Sequence, residues 1–398
     1  MKLKQLSKST SLKGKRILVR VDWNVPLPAN ASSGKARKIT RTIPFLRELQ
    51  KRGATVLIMT HLGRPKGREM KYSTKGLARA VKAYTDLPVE YLNVDLSTSG
   101  GAKAFKTDVD TLKPKSIVCL ENVRFQPGEV QNDAKLAKRY ADAADLYIND
   151  AFASCHRAHA SVVGIGKSVP TYAGPGLVAE VTALHKLLQK PRKPYYAFIG
   201  GAKLSTKLPV IEQLLKIADK VFIGGAMAHP FFVAQKYGVG KSLMEPDGVK
   251  IAKKLLKNKK IVVPTDVIVG PKIAAGVTVR RAAVNGVKKT ERIGDIGTET
   301  VMEWVDELNH AETIVWNGPF GVTELPAFSH GSLVIAKALA IRSKGRPYVV
   351  VGGGDTLPVV AKTGMDDLYD FVSTGGGAML EFISKKGKLP GFVPLLKK

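Results

Sequence analysis

Glycines, an aspartate and a threonine follow one apolar run of this 398-residue sequence, in VVGGGDTLPVV at residues 350–360. Glycines leave backbone N–H groups open to a phosphate, and a helix that follows them adds the positive end of its dipole. Asp355 is placed to hold Mg²⁺ against phosphate oxygens, and Thr356 to cap the helix or to donate its hydroxyl to phosphate. The segment therefore predicts a phosphate site.

Lysines stand beside a second glycine turn, in GGAKLSTKL at residues 200–208. Lys203 and Lys207 are four residues apart, so they share one face if the segment is helical. Cations at this place suit phosphoryl transfer, because the transferring group gains from positive charge at its equatorial oxygens. Glycines also follow other apolar runs after residue 194, at Gly224, Gly225, Gly318, Gly321 and Gly375 to Gly377.

Side chains rather than glycines follow the apolar runs in the first half of the chain. They are Asp22, Asn24, His61, Arg64, Glu121, Arg124, Asn149, Asp150, His156, Arg157 and His159. Arginine forks suit phosphate or carboxylate groups. These side chains predict a crevice for a small, multiply charged anion. The alternative is a set of solvated or salt-bridged surface groups, and the tight polar segments HLGRPKGR and NDAFASCHRAHAS favour the site.

The runs that position these residues alternate with stretches of helical spacing, which predicts βαβ units. The runs are RILVRVDWNVP (16–26), ATVLIMTHLGRP (54–65), SIVCLENVRF (116–125), DLYINDAF (145–152), PYYAFIGGAK (194–203), KVFIGGAMA (220–228), KIVVPTDV (260–267), TIVWNGPFG (313–321) and YVVVGGGDT (348–356). Continuous apolar strands separated by helices predict parallel sheets covered on both faces, with ligands at the carboxyl ends of the strands.

The length of the chain predicts two domains. We expect an α/β fold of two Rossmann-like domains joined by a helical hinge. The predicted parts are an anion-binding domain at 1–173, the hinge at 174–193 and a nucleotide-binding domain at 194–377. The two ligands must meet and water must be kept from the reaction, so we expect the domains to close. This combination predicts a two-domain kinase acting on a small phosphorylated or carboxylated substrate.

The charge of the chain leaves a second function open. Sixty-three Lys and Arg residues against 33 Asp and Glu residues give a net charge of +30. This excess favours anionic partners, so a nucleic-acid-associated protein is the alternative to a kinase with a generally basic surface. No helix-turn-helix, zinc-finger or RNA-binding pattern is present in the sequence, which favours the kinase. The lack of a long apolar run and the two cysteines predict a cytoplasmic protein without disulfides.

Several short motifs are rejected as sites. GPGLVA at 174–179 follows no convincing strand, and GIGKS and GVGKS lack the first glycine of a phosphate-binding P-loop. Cys155 and His156 are adjacent, and adjacent side chains rarely face each other, so a thiol nucleophile is not expected. The seven histidines have no zinc-ligand spacing.

Eight segments together resemble the phosphoglycerate kinase family, from about residue 16 to the C-terminus. They are VRVDWNVP, HLGRPKG, LENVRF, NDAF followed by HRAH, GGAK, WNGP, GGGDT and STGGGA. The resemblance implies reversible phosphoryl transfer in glycolysis between 1,3-bisphosphoglycerate and MgADP, giving 3-phosphoglycerate and MgATP. It also implies ATP or ADP as co-substrate, Mg²⁺ as cofactor and a tail at 378–398 that returns to the first domain. A monomer is expected, without a membrane partner.

The resemblance also implies roles for individual residues. The implied glycerate-binding residues are Asp22, Asn24, Lys38, His61, Arg64, Arg124, His156, Arg157 and His159. The implied nucleotide-binding residues are Gly201, Lys203, Lys207, Gly224, Gly225, Asn317, Gly321, Glu324, Gly353, Gly354, Asp355 and Thr356, with Asp355 on the metal. The implied catalytic residues are Arg64, Lys203 and Gly376. No general base is expected, because the attacking carboxylate or phosphate oxygen is already ionised.

Two positions depart from the family's pattern. Lys38 stands where the family has an arginine, so a bidentate anion contact becomes a monodentate one unless Arg37 or Arg41 compensates. Thr206 stands where the family usually has an aspartate, which alters the charge balance beside the nucleotide. The net charge of +30 is not explained by the activity, since the site needs only a few cations.

Overall fold

The computed structural model of the chain describes residues 1–25 and 37–397. These residues form two compact units, one of Met1–Thr182 with Lys388–Lys398 and the other of Ala183–Gly387. Each of the nine predicted runs contains a strand, and the predicted α/β class is confirmed. Pro26, the last residue of the first run, lies outside the described residues.

A six-stranded parallel sheet forms the centre of the first unit, in the order β3-β4-β2-β1-β5-β6. Its strands are β1 (Arg16–Arg20), β2 (Thr55–Met59), β3 (Val89–Leu92), β4 (Ile117–Leu120), β5 (Leu146–Asn149) and β6 (Thr171–Ala173). The helices of this part of the chain are α1 (Arg37–Thr40), α2 (Ile43–Lys51), α3 (Lys75–Val81), α4 (Ser99–Asp110), α5 (Ala134–Ala141) and α6 (Pro175–Leu188).

Both faces of the first sheet are buried, as expected for parallel strands. Ile17 and Val19 of β1 belong to one apolar cluster, and Leu18 between them belongs to another. The same alternation separates Val56 from Leu57 in β2. Because neighbouring side chains of a strand point to opposite faces, a continuous apolar run supplies both clusters.

A second six-stranded parallel sheet forms the centre of the second unit, in the order β15-β14-β13-β7-β8-β9, beside a three-stranded antiparallel sheet β11-β10-β12. The strands of these two sheets are β7 (Tyr195–Ile199), β8 (Lys220–Ile223), β9 (Ile261–Val262), β10 (Asp266–Gly270), β11 (Arg280–Ala283), β12 (Arg292–Ile296), β13 (Thr313–Asn317), β14 (Tyr348–Gly352) and β15 (Phe371–Ser373). The further helices of this unit are α7 (Leu204–Ile217), α8 (His229–Ala234), α9 (Gly248–Leu255), α10 (Thr298–Glu307), α11 (His330–Ser343), α12 (Thr356–Thr363) and α13 (Gly377–Ser384).

Aromatic rings fill much of the core of the second unit. Phe198 of β7 stacks on Phe222 of β8 with ring centroids 4.3 Å apart, and Trp304 of α10 contacts Phe222 edge-on at 5.3 Å. This packing helps to fix β7 and β8 relative to each other, and therefore also the loops that leave their carboxyl ends.

Two of the strands that the sequence did not reveal, β3 and β11, are partly exposed. In β3 three of the four residues are at least partly exposed, and β11 presents Arg280 and Arg281 to solvent. A short amphipathic strand has too little periodicity to be recognised without its neighbours. The two ends of the chain meet in the first unit, where the Lys4 N–H donates to the Leu395 carbonyl at 2.7 Å. Among the described residues, no helix combines the length and apolar character that a membrane span requires.

Candidate functional site

The carboxyl ends of β1, β2, β4 and β5 gather basic side chains in the first unit. Hydrogen bonds join the segments that carry them: the Arg20 Nη2 lies 3.1 Å from the His61 Nδ1, and Arg124 donates to the Gly63 carbonyl. The positive charges of Arg20, Arg124, Arg157 and Lys38 all add to burial in lowering the pKa of His61. The segments after β2, β4 and β5 thus bring His61, Arg124 and Arg157 of the predicted set together, with Lys38 from α1. Glu121, Asn149 and Asp150 instead bond within the unit, to Thr74, Ala151 and Leu177 respectively.

Arg124 lies within this basic cluster and is itself half-buried. Burial first, and then the charges of Arg157, Arg20 and Arg64, lower its pKa to about 10. Its guanidinium also donates to the Gly63 carbonyl. Like charges held at this density favour a multiply charged anion, because an anion relieves their mutual repulsion.

The loop after β2 is held in place by two side-chain amides. The Asn24 carbonyl oxygen accepts from the Gly63 N–H at 2.9 Å. The Asn122 amide donates to the Leu62 carbonyl at 2.8 Å and to the Tyr72 carbonyl at 2.9 Å. These contacts fix the backbone of the loop that carries Arg64, whose side chain is exposed to solvent.

Lys38 contacts Asp22 rather than standing apart. The Lys38 Nζ donates to the Asp22 Oδ2 at 2.6 Å, and both side chains are largely buried. Part of the lysine charge is therefore balanced by a carboxylate at the site. Because an ammonium is a compact charge without a fork, sharing it with Asp22 leaves less geometric control over a ligand than a guanidinium would.

Two further histidines lie in the segment after β5. His159 is buried, with its Nδ1 3.7 Å from the Glu129 Oε1. Burial, followed by the charges of Arg157, Arg124, Arg20 and His156, lowers the pKa of His159 to about 4. The Arg157 Nε donates to the His156 Nε2 at 3.0 Å. The positive charge of this site at neutral pH therefore comes from the arginines and Lys38, while His61 and His159 are neutral.

A cavity of about 320 Å³ lies at the carboxyl ends of β7, β13 and β14 in the second unit. It is lined by most of the predicted nucleotide-phosphate residues, which are Gly201, Lys203, Lys207, Asn317, Gly353, Gly354, Asp355, Thr356 and Gly376. The helices α12 and α13 begin at this cavity, so the positive ends of their dipoles add positive potential to it. Thr206 lines the same cavity, and its hydroxyl donates to the Lys203 carbonyl at 2.9 Å.

The two lysines of the cavity have different environments. Lys203 is exposed and immediately precedes α7. Lys207 is half-buried, and its Nζ donates to the Asn317 Oδ1 at 2.5 Å. Burial lowers the pKa of Lys207 to about 8, although the charge of Asp355 acts in the opposite direction. The first N–H groups of α7 are occupied by Glu245, whose carboxylate accepts from Leu204 at 2.7 Å.

Two glycine turns meet backbone to backbone beneath the cavity. Gly318 has a φ of +94°, and a Cβ placed on it would lie 2.2 Å from the Gly200 carbonyl oxygen. The Gly318 N–H donates to the Thr356 hydroxyl at 2.7 Å. These contacts require glycine at 318, because a side chain would separate the turns after β7 and β13. The hydroxyl of Thr356 thus makes a contact to a neighbouring turn.

A second cavity, of about 240 Å³, shares Gly201 and Asp355 with the first. It is lined by apolar side chains such as Phe232, Leu243 and Phe320, and by the predicted residues Gly225, Gly321 and Glu324. An apolar slot that adjoins a phosphate cavity suits the base and ribose of a nucleotide. Gly224 does not line either cavity and is buried, where a Cβ would lie 2.5 Å from the Phe320 ring.

Asp355 is suited to hold Mg²⁺ together with a nucleotide. Its carboxylate is exposed at the point that the two cavities share. Across residues 1–25 and 37–397, no group of three or more His, Cys, Asp or Glu side chains forms a ready metal site. Mg²⁺ commonly takes only one or two carboxylates and completes its shell with phosphates and water, so a single aspartate fits this ion.

Several polar residues at the two sites were not recognised in the sequence. Arg20 and Glu129 are buried charges beside the basic cluster. In the second cavity, the buried His229 Nδ1 bonds the Leu243 carbonyl at 2.7 Å, and burial raises the pKa of Asp295 to about 7. Arg20 could have been recognised, because a charged residue inside the apolar run RILVRV indicates a buried charge with a partner. Glu129, His229 and Asp295 lie in segments without such a signal.

These features define an α/β kinase that has an arginine-lined anion site and a glycine-lined phosphate cavity. The family model for phosphoglycerate kinase matches residues 7–386. A phosphoglycerate kinase of Thermus thermophilus is 42% identical over 384 residues, which cover 95% of this chain and 96% of that protein. The phosphoglycerate kinase of Deinococcus radiodurans is 41% identical over 387 residues, which cover 96% and 92%.

Solved structures are similar over the same extent. Phosphoglycerate kinase from Coxiella burnetii gives a TM-score of 0.80 at 36% identity, covering 97% of this chain and 96% of that chain. Phosphoglycerate kinase from Pyrococcus horikoshii gives 0.83 at 29% identity, covering 99% and 98%. The chain belongs to the phosphoglycerate kinase family. The predicted nucleotide-using kinase of glycolysis is thereby confirmed.

Proposed function

We propose that the basic cluster of the first unit binds 3-phosphoglycerate or 1,3-bisphosphoglycerate and that the two cavities of the second unit bind MgADP or MgATP. The observation that carries this assignment is the convergence of Arg124, Arg157 and Arg64 beside histidines kept neutral. Such a site matches a small ligand with a phosphate at one end and a carboxylate or acyl phosphate at the other. The division of the ligands between the two units and the predicted closure stay predictions.

The residues act on a reaction in which the attacking oxygen is already ionised. The arginines neutralise the charge of the glycerate and orient its carboxylate, and Arg64 balances the transferring group. Lys203 and the start of α13 at Gly376 stabilise the charge that spreads over the three equatorial oxygens. Lys207, Gly353, Gly354 and Thr356 hold the remaining nucleotide phosphates. Mg²⁺ on Asp355 would neutralise charge between those phosphates.

A coupled assay tests this assignment directly. Purified, folded protein with ATP, 3-phosphoglycerate and Mg²⁺ is expected to release ADP, and omission of Mg²⁺ is expected to stop the release. No turnover with all three present would reject the assignment. We further infer a cytoplasmic monomer, since glycolytic substrates are cytoplasmic and no long apolar seam is present in the sequence.

The net charge of +30 favours nucleic-acid association as the second candidate function. A polyanion-binding surface predicts that the logarithm of the affinity for duplex DNA falls steeply and linearly with the logarithm of the salt concentration. If binding to DNA vanishes at about 0.15 M salt, the nucleic-acid function is rejected and the net charge is only a general property of the surface.

Lys38 allows a test of the glycerate site. We expect Lys38→Met to raise the KM for 3-phosphoglycerate by about tenfold, because one charged contact is lost. We expect Lys38→Arg to lower this KM, because a guanidinium can bond Asp22 and an anion together. The KM for ATP serves as the internal control. An unchanged KM for 3-phosphoglycerate in Lys38→Met would remove Lys38 from the site.

The affinity for ADP is expected to depend on pH through Lys207. Its pKa of about 8 in the free protein must rise when a phosphate binds, because the anion favours the charged ammonium. Above about pH 8, Lys207 must therefore take up a proton when ADP binds. The affinity for ADP is then expected to stay constant below this pH and to fall by up to about tenfold per pH unit above it. Calorimetric titration with MgADP measures this dependence. Lys207→Met is expected to bind weakly at every pH, and a persisting fall above pH 8 would assign the titration to another group.

A further inference from the structure

A chain of buried polar contacts connects Glu129 to His61 through Ser161 and Arg20. All four side chains are less than a tenth exposed, and Arg20 and Glu129 are 1% exposed. They come from four separate segments of the first unit, so their contacts depend on the tertiary fold. Buried charges are costly unless they are paired or fully hydrogen-bonded. Each buried charge of this chain therefore depends on the contacts that its neighbours provide.

Ser161 stands between the two buried charges. Its hydroxyl donates to the Glu129 Oε1 at 2.6 Å, and its backbone N–H donates to the Glu129 Oε2 at 3.0 Å. The Arg20 Nε donates to the same hydroxyl oxygen at 3.2 Å. The serine therefore accepts from the cation and donates to the anion. Exchange of this hydroxyl for hydrogen would break both hydroxyl contacts while keeping both charges.

Arg20 in turn determines what its neighbour His61 can do. The Arg20 Nη2 lies 3.1 Å from the His61 Nδ1, and its Nη1 donates to the Val21 carbonyl at 2.6 Å. A guanidinium has donors only, so the His61 Nδ1 must be the acceptor and cannot carry a hydrogen. In the neutral ring the hydrogen is then on Nε2. Within residues 1–25 and 37–397, no side chain or backbone group bonds that Nε2.

We propose that Glu129, Ser161 and Arg20 are positioning residues that hold His61 in the Nε2–H tautomer, so that its ring donates a hydrogen bond to the bound glycerate phosphate. This inference rests on the proposed glycerate site. The surrounding arginines and Lys38 supply the positive charge that attracts the phosphate. The neutral His61 ring adds a hydrogen bond that orients it.

The charges around His61 agree with this role. The groups whose charges act most on its pKa are Arg20, Arg124, Arg157 and Lys38, and all are cations. Burial and these charges hold the pKa of His61 well below its usual value, so the ring is neutral near pH 7. A proton added to Nδ1 would point at the Arg20 guanidinium. The contact to Arg20 and the surrounding positive charges thus both disfavour a His61 ring that carries a proton on Nδ1.

Ring ¹⁵N NMR of the full chain tests the tautomer without substrate. His61, identified by loss of its signals in His61→Gln, is expected to show a bare Nδ1 and a protonated Nε2 at about pH 7. Ser161→Ala is expected to give a mixture of tautomers. A protonated Nδ1 in the unchanged protein, or an unaltered tautomer in Ser161→Ala, would overturn the proposal.

Kinetics separate positioning from simple stabilisation. Ser161→Ala is expected to raise the KM for 3-phosphoglycerate by about tenfold and to leave the KM for ATP unchanged. Ser343→Ala is the matched control, because Ser343 is a buried serine whose hydroxyl donates to the Asp370 carboxylate at 2.7 Å in the second unit. It is expected to change neither KM. An equal change in both variants, or an unchanged KM in Ser161→Ala, would reduce Ser161 to a structural residue.

A charge-removing variant gives an independent reading. Glu129→Gln keeps the size of the side chain and an acceptor for the Ser161 hydroxyl but removes the anion that balances Arg20. We expect the same loss of a single His61 tautomer and the same selective rise in KM. The NMR measurement needs no turnover, so failure of the proposed function, seen as inactivity of the unchanged protein, stays distinguishable from failure of the tautomer assignment.

Discussion

Replacement of Lys203 by methionine is expected to lower kcat by about a hundredfold to a thousandfold, the usual effect of removing one electrostatic contact to the charge of a transition state. Lys203 is exposed in the phosphate cavity, so its ammonium can move to the transferring group. Methionine keeps much of the chain length and removes only the charge. Single-turnover measurements with saturating substrates isolate this step from binding.

The control for this variant is Lys216→Met, at the other end of α7. Lys216 is exposed and does not line either cavity of the second unit. This control is expected to keep the kcat of the unchanged protein. A Lys203→Met protein that retained kcat and lost only ATP affinity would show that the lysine binds the nucleotide equally in ground and transition states.

Replacement of Gly318 by alanine is expected to weaken ADP binding by about a hundredfold, because separation of the two turns removes a hydrogen bond to a charged phosphate. The new Cβ would lie 2.2 Å from the Gly200 carbonyl oxygen, so the turns after β7 and β13 must separate. Those turns carry Gly201 and Asn317, which line the phosphate cavity. Overpacking of this kind also costs about 1–3 kcal/mol in the free energy of unfolding.

Gly276 provides the matched control, because its φ of +69° is also positive but a Cβ there has no neighbour within 4 Å. Gly276→Ala is expected to cost about 1 kcal/mol of stability and no ADP affinity. Calorimetry with ADP and thermal unfolding of both variants give the comparison. Equal ADP affinity in the two would mean that backbone strain, rather than contact between the turns, is the only penalty.

The buried histidines predict how the stability of the first unit responds to acid. His159 has a pKa of about 4 in the folded protein, lowered first by burial, against an ordinary value of 6.5. The unfolded chain therefore binds a proton below about pH 6.5 that the folded protein does not bind until about pH 4. The depressed pKa thus makes stability fall as the pH falls through this interval, which thermal unfolding at a series of pH values measures. A bound anionic substrate should reduce that loss, because it favours the protonated ring.

Local pattern was sufficient for the class of fold and for much of the candidate site. Apolar runs such as SIVCL predict β4 because a strand buried on both faces must be apolar at successive positions. The glycines of GGGDT predict a close approach of backbone to phosphate for an equally local reason. Arg124 and His61 lie just after such runs, and the carboxyl ends of parallel strands meet at one edge, so their convergence needed no further information.

The parallel sheets, the side chains at their carboxyl ends and the family of the chain could therefore be predicted from the residues alone. The contacts between particular groups required the folded chain: Lys38 with Asp22, Gly318 against Gly200, and Arg20 with His61 and Ser161. The two kinds of information differ in the separation along the chain over which they act. Strand and turn preferences act between neighbouring residues, whereas Arg20 and Ser161 are 141 positions apart and meet only when β1 has packed into the sheet.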